Sequence, residues 1–220
     1  MSNSPHAWRG LTRRQMEDAT TSFLHEGHGY QSSVRLVELD GQRAAAKDYA
    51  LAPRLFRRFV APFLLNREER ALRFLHDVPG VPRVLARVDR QCLVMELIEG
   101  TPMDRFKIGE LAPEVFPRVQ DVIDRIHARG VSHCDLKRRG NLILTPDGDV
   151  YLIDFAAAIV GRRPLRFFVN WLQRQMADID DKCVPRLKKF VAPELLTPED
   201  QAKLDNPTPL EKWARKLLNR

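Results

Sequence analysis

The chain is 220 residues long, with 44% hydrophobic and 30% charged residues, a globular balance that excludes wholesale disorder and leaves room for one domain or two small lobes. Lys and Arg outnumber Asp and Glu by 36 to 29, and the resulting +7 favours polyanionic partners (nucleotide, nucleic acid, phospholipid or phosphorylated glycan) without choosing among them. No uncharged apolar run approaches the roughly 18 residues of a membrane-spanning helix, and residues 1–11 carry no apolar signal core, so the expected location is the cytoplasm.

Residues 1–19 read as a short leader with some helical character. Thr20–His25 and Ser33–Leu39 have strand character, with Gly27-His28-Gly29 as the turn between them. Asp40-Gly41 is a hairpin signal leading into a third strand over 43–49. A helix is expected over 66–76, with Leu65, Leu72 and Leu75 on one face and Pro79-Gly80-Val81-Pro82 ending it. Two strands follow, 83–88 and 92–98, and Glu99-Gly100-Thr101-Pro102 breaks the sheet. The second half opens with a helix carrying Val115, Val119, Val122, Ile123 and Ile126 at the 3.6-residue period, with Gly130 at its C-terminal end. After a loop over 131–141, strands at 142–145 and 150–153 flank the turn Pro146-Asp147-Gly148-Asp149. Thr197-Pro198-Glu199-Asp200 has the pattern of a helix start. Cys92, Cys134 and Cys183 are odd in number and form no CxxC pair, so reduced thiols are expected, without a disulfide or thiolate-zinc framework.

The informative segment is 131–155. Asp135 lies in a loop just after a helix, Asn141 begins one strand of a hairpin and Asp154 ends the other. With the turn centred on Asp147-Gly148, Asn141 is expected directly across the ladder from Asp154. A carboxamide and a carboxylate converging beside a second carboxylate suit Mg²⁺, which takes one or two protein oxygens and keeps phosphate and water ligands.

His133-Cys134-Asp135-Leu136-Lys137 with Asn141, followed by Asp154-Phe155, resembles the catalytic loop and metal-binding motif of the protein-kinase-like superfamily. Ala44-Ala45-Ala46-Lys47 looks like its strand with the ATP-phosphate lysine, and Glu68 stands where the lysine's partner is placed. Glu96-Leu97, ahead of Glu99-Gly100, looks like the hinge, and Gly27 and Gly29 occupy the place of the glycine-rich loop. The small size and short second half look most like bacterial RIO-type and lipopolysaccharide-core kinases.

The resemblance implies an α+β, bilobal kinase-like fold. It places an N-lobe of five antiparallel strands and one helix over 20–100, after a leader over 1–19, and a short, mainly helical C-lobe over 101–220. It implies ATP and Mg²⁺ as cofactors. Asp135 would orient and deprotonate the attacking hydroxyl, Lys137 would offset charge on the transferring group, Asn141 and Asp154 would hold Mg²⁺, and Lys47, fixed by Glu68, would grip the phosphates. Several features depart from the commoner pattern. Asp135 and Asn141 are six residues apart where five is usual, Cys134 stands for an arginine, and Ala156 follows Asp154-Phe155 where a glycine is usual. The extra loop residue is expected to bulge at Gly140. Ala192-Pro193-Glu194 reads as coincidence.

Two stretches combine arginines and aromatics without an acid, residues 54–65 and 162–172. One reading packs their apolar residues in the core with the arginines as a solvated rim. The other docks them on an anionic bilayer or a lipid-linked glycan, with the protein peripheral at the inner face of the membrane. For the acceptor, a protein serine or threonine is the first reading and a sugar of the lipopolysaccharide core the rival. A nucleotide-binding pseudokinase is a further alternative. No nucleic-acid-binding motif is present, and no nucleic acid is expected as a partner.

Overall fold

The computed structural model describes residues 7–161 and 167–208. The chain divides into two compact units, Met1–His76 with Val81–Ile98, and Asp77–Gly80 with Glu99–Arg220.

In the first unit, Thr12 caps the helix α1 (Arg13–Asp18) by accepting from the Gln15 N–H, and the Gln15 side chain answers at the Thr12 N–H. The strands β1 (Thr20–His25), β2 (Ser33–Leu39) and β3 (Gln42–Asp48) follow, then the helix α2 (Ala61–Phe74) and the strands β4 (Val84–Arg87) and β5 (Cys92–Glu96). They form one sheet of order β1-β2-β3-β5-β4, antiparallel throughout. The Asp40-Gly41 hairpin closes with Leu39 opposite Gln42, as its sequence requires.

Side chains alternate across a strand, so Ala44 and Ala46 share one face of β3 and Ala45 and Lys47 the other. The first face is covered by the chain ahead of β1. Trp8 and Met16 are fully buried there, packed with Leu11, Val37, Ala44, Ala46, Ala86 and Val94. That segment is therefore part of the core. A charged clamp fixes it: Arg13 pairs with the fully buried Asp48 at 2.8 Å and with Asp89 at 2.7 Å, while Arg35 reaches Asp48 at 3.2 Å.

The helix expected over 66–76 begins earlier, at Ala61, and a π-helical turn over Phe56–Val60 leads into it. Pro62 is tolerated because the first helical turn needs no N–H from it. Ala61, Leu65, Glu68 and Leu72 form the buried stripe.

The second unit contains β6 (Thr101–Pro102), α3 (Val115–Ala128), β7 (Val131–Ser132), β8 (Leu142–Leu144), β9 (Val150–Leu152), β10 (Ile159–Val160), α4 (Phe167–Asp180), α5 (Cys183–Val191) and α6 (Pro198–Asp205). Its small sheets are β6-β8-β9 and β7-β10. Val119, Ile123 and Ile126 of α3, Leu142, Leu152 and Phe155 around the hairpin, and Leu187 and Val191 of α5 are fully buried. The start signal of α6 folds as read, with Thr197 and Asp200 forming a capping box. Among the described residues no helix is long and apolar enough to cross a membrane.

The β8–β9 register departs from expectation. Leu142 pairs with Leu152 and Leu144 with Val150, and the Ile153 N–H donates to Asn141 O at 2.9 Å. Asn141 therefore lies across from Ile153, with Asp154 one residue further on. The cause is loop length. Thr145 and Asp149 close a three-residue loop (N–H···O 2.9 Å), and Gly148 takes a φ of 82° that a branched residue would resist. The Arg118 guanidinium donates to Gly148 O at 2.6 Å and ties the turn to α3.

Candidate active site

Lys47 and Glu68 form the charged centre of the first unit. Lys47 faces α2 from β3, and its Nζ lies 2.8 Å from Glu68 Oε2, with the two side chains 8% and 1% exposed. Burying two charges costs several kcal/mol each, which an ion pair offsets only with good geometry. Such a pair is a poor device for stability alone and a good one for holding an ammonium group ready.

Gly27 and Gly29 lie in the β1–β2 connection, where the Gln31 N–H turns back to His28 O at 3.2 Å. Gly27 is pressed so close to the chain that a Cβ would stand 2.5 Å from the carbonyl carbon of Ser32. Only a glycine passes there without moving the backbone. Glu96 ends β5, and its carboxylate accepts from the Arg83 backbone at 3.1 Å and side chain at 3.2 Å. Leu97, the next residue, is half-buried.

In the second unit the loop after β7 carries Asp135, and a buried histidine organises it. Burial drives the pKa of His133 down, keeping the ring neutral, while Asp180, Asp154 and Asp135 act on it electrostatically in the opposite sense. Nδ1 accepts from the Asp135 N–H at 3.4 Å, so the proton lies on Nε2, which donates to Ile153 O at 2.9 Å. The ring also packs on Phe155, centroids 4.6 Å apart. One side chain thus ties the Asp135 loop to the Ile153 carbonyl and the Phe155 ring, on either side of Asp154.

A residue that the sequence did not single out completes the hold. Asp180, at the end of α4 and 1% exposed, accepts the His133 N–H at 2.6 Å and the Cys134 N–H at 3.0 Å. Ser132 joins the same helix, donating to Gln173 O at 2.8 Å. Asp180 follows Ile179 and precedes Asp181 at a helix end, and nothing local distinguishes it from a solvated acid.

Asn141 is 8% exposed. Its Nδ2 donates to Asp135 O at 3.0 Å and approaches Asp135 Oδ2 at 3.5 Å. The extra residue between Asp135 and Asn141 is absorbed by consecutive tight turns: Arg138 N–H reaches Asp135 O at 3.3 Å and Asn141 N–H reaches Arg138 O at 3.0 Å. The cation against Asp135 is Arg138, at 3.3 Å; Lys137 beside it is exposed. Asp154 has left-handed backbone, φ 63° and ψ 66°, which turns the chain as it leaves the hairpin. Non-glycine residues held in this region cluster at functional sites, and Cys134, φ 69°, is a second one in the same structure.

These donors fit Mg²⁺. Nδ2 of Asn141 is committed to a carbonyl, which leaves Oδ1 as the amide atom for a hard cation. Asp154 supplies a carboxylate at the far end of the adjoining hairpin strand. Among the described residues no three His, Cys, Asp or Glu side chains gather as a metal cage. The donor set is thus one that a phosphate-bound ion would complete.

The sequence model of the RIO domain matches residues 40–180. Among curated proteins, the serine/threonine-protein kinase PknH of Mycobacterium bovis is 34% identical over 102 residues, 43% of this chain and 17% of its own length. The CBL-interacting serine/threonine-protein kinase 21 of Arabidopsis thaliana is 31% identical over 103 residues, 44% of this chain and 24% of its own. The chain thus spans less than a quarter of either relative. Among solved structures, the Rio2 kinase from Chaetomium thermophilum superposes with a TM-score of 0.58 at 17% identity, over 91% of this chain and 64% of that one. Its ADP/Mg²⁺-phosphoaspartate complex gives 0.56 at 17% identity, over 94% and 67%. The matched span runs from the Asp40-Gly41 hairpin to Asp180 and takes in Lys47, Glu68, Asp135, Asn141 and Asp154; the chain belongs to the RIO domain family, within the protein-kinase-like superfamily.

Proposed function

We propose that the chain is a kinase, transferring the γ-phosphoryl group of ATP to a hydroxyl with Mg²⁺ as cofactor. The observation that carries this reading is the buried Lys47–Glu68 pair, 2.8 Å apart. An ammonium group so placed, on the strand where kinases carry their phosphate-binding lysine, would hold the α- and β-phosphates. Asn141 and Asp154 would hold Mg²⁺, which supplies neutralisation of phosphate charge. Asp135 would orient the acceptor hydroxyl and take its proton, with Arg138 restraining the carboxylate. Lys137, exposed next to Asp135, would meet the transferring group. Gly27 and Gly29 would let the β1–β2 connection approach the nucleotide, and the backbone at Glu96-Leu97 would meet its base.

The acceptor we propose is a protein serine or threonine. The curated relatives named serine/threonine-protein kinases support it. A sugar hydroxyl of the lipopolysaccharide core is the rival, favoured by the exposed Leu55, Phe59 and Phe63 with the exposed Arg54 and Arg58 beside them.

The deciding measurement is transfer of labelled phosphate from ATP–Mg²⁺ by the wild type, Asp135→Asn and Asp154→Ala, offered a protein lysate and a membrane-glycan fraction in parallel. Transfer by the wild type that both substitutions lower by about 10²-fold or more is expected. Equal rates in all three proteins overturn the reading, and label in the glycan fraction alone moves the acceptor to the sugar.

A further inference from the structure

The segment between β3 and α2 has a face that the phosphotransfer reading does not use. Phe56 turns inward, its ring 5.2 Å from that of Tyr30 and 5.8 Å from that of Tyr49. Phe56 itself is half-buried, and Ala61, Pro62 and Leu65 beyond it are buried. Four large apolar residues point out: Leu51, Leu55, Phe59 and Phe63 are 68%, 74%, 65% and 59% exposed. Leu55, Phe59 and Phe63 recur every fourth residue through the π-helical turn and into α2, so these three line one side, and Leu51 lies in the turn just ahead of them. The two sequence readings of this stretch thus divide it between them: one side is core, the other is not.

Arginines frame the exposed side. Arg54, Arg57, Arg58 and Arg90 line one surface depression together with Pro62 and Gln91. Arg58 stacks over Phe59 at 5.6 Å and Arg67 over Phe63 at 5.7 Å. No acidic residue occurs between Asp48 and Glu68, and Asp89, next to Arg90, is taken by Arg13 at 2.7 Å. Apolar side chains of this size left in water beside Arg54, Arg57, Arg58 and Arg90 mark an interaction surface.

We propose that this face, Leu51, Leu55, Phe59 and Phe63 with Arg54, Arg57, Arg58 and Arg90, docks on the surface of an anionic lipid bilayer. The charge selects the partner: guanidinium groups beside exposed rings match phosphate headgroups lying directly above acyl chains. Leucines in the stripe offer a nucleic acid nothing to stack on, whereas acyl chains accept leucine and phenylalanine alike. The inference stands independently of ATP and of catalysis.

Flotation of the full chain with vesicles tests it at low salt, without nucleotide. The lipids are phosphatidylcholine alone and phosphatidylcholine mixed with phosphatidylglycerol. The variants are Leu55→Ser/Phe59→Ser and Arg54→Glu/Arg58→Glu, with thermal melts to confirm folding of these exposed-site changes. The wild type floats with the anionic vesicles and not with phosphatidylcholine alone, and each double variant loses about tenfold or more of that partition. A wild type that stays with the soluble fraction overturns the proposal. So does a serine variant that binds anionic vesicles as well as wild type, since the site is then one for any polyanion. Equal flotation with both lipid mixtures overturns it too. Loss of phosphotransfer alone, with flotation intact, leaves the docking face standing and removes the kinase reading.

Discussion

Asp180 holds Cys134 in a left-handed conformation from 46 positions along the chain: its Oδ1 accepts the Cys134 N–H at 3.0 Å while Oδ2 accepts the His133 N–H at 2.6 Å. A non-glycine residue at φ 69° costs free energy, and the buried carboxylate meets that cost with two charge-assisted hydrogen bonds. The reward is the direction of the next residue, Asp135.

Replacing Asp180 by Ala should leave two backbone N–H groups buried without acceptors and destabilise the protein by about 2–4 kcal/mol. Phosphotransfer should fall further than the lost folded fraction explains, because the loop no longer presents Asp135. Thermal unfolding and transfer rate measured on the same preparations check this; a stable protein with normal rate would show that the loop holds its own shape.

The Lys47–Glu68 pair separates stability from function. Lys47→Met removes the ammonium group from beside a carboxylate that is 1% exposed, and a loss of about 3–5 kcal/mol is expected. Lys47→Met combined with Glu68→Leu should recover most of that stability, because apolar replacements remove both desolvation costs. Nucleotide affinity should stay lost in the double variant. Chemical denaturation and nucleotide titration give the two readouts.

His133 should make stability depend on pH as the pH falls below about 7. Its folded pKa lies below the ordinary 6.5 because the buried ring is held neutral. As pH falls through 6.5 the unfolded chain takes up a proton before the folded one does, so stability drops with acidification. His133→Gln should be less stable at pH 8, yet lose less on going to pH 5.5. Melting temperatures across that range decide it, and parallel profiles would contradict the assignment.

Asp135→Asn should lower the transfer rate about 10²–10⁴-fold with little change in stability. The Asn141 bond to Asp135 O is to the backbone and survives the change. Arg138→Ala, at a side chain 67% exposed, should barely affect folding. Its effect should fall on how firmly the Asp135 carboxylate is oriented, and steady-state kinetics on both variants would show it.

Thiol reagents should discriminate the cysteines. Burial pushes Cys92 and Cys183 up to about 12, with Asp48 and Asp180 adding to the effect respectively. Neither should react at pH 8 in the folded protein, whereas the half-buried Cys134 should. Mass mapping after brief labelling would test the order.

Much of this was legible in the residues. The α3 periodicity, the Asp40-Gly41 hairpin and the Thr197 cap are local signals, and local geometry obeyed them. The β8–β9 register was not, since a two-residue and a three-residue loop differ by one residue and Pro146-Asp147-Gly148 permits either. Asp180 was invisible for a different reason: its role exists only once α4 is packed against β7 and β10. The Arg54-to-Phe63 stretch was ambiguous because apolar residues at every fourth position describe an outer stripe as well as an inner one. Residues 162–166 of the second basic-aromatic stretch lie outside the described residues.

The buried Trp8 has a practical consequence for anyone shortening this protein. A fragment beginning at Thr20 would contain every strand of the first unit, yet one side of its sheet would be a bare floor of alanine and valine, and Asp48 would lose one of its guanidinium partners. Such a fragment should associate with itself or fail to express, and domain maps drawn from catalytic motifs alone would cut through the floorboards.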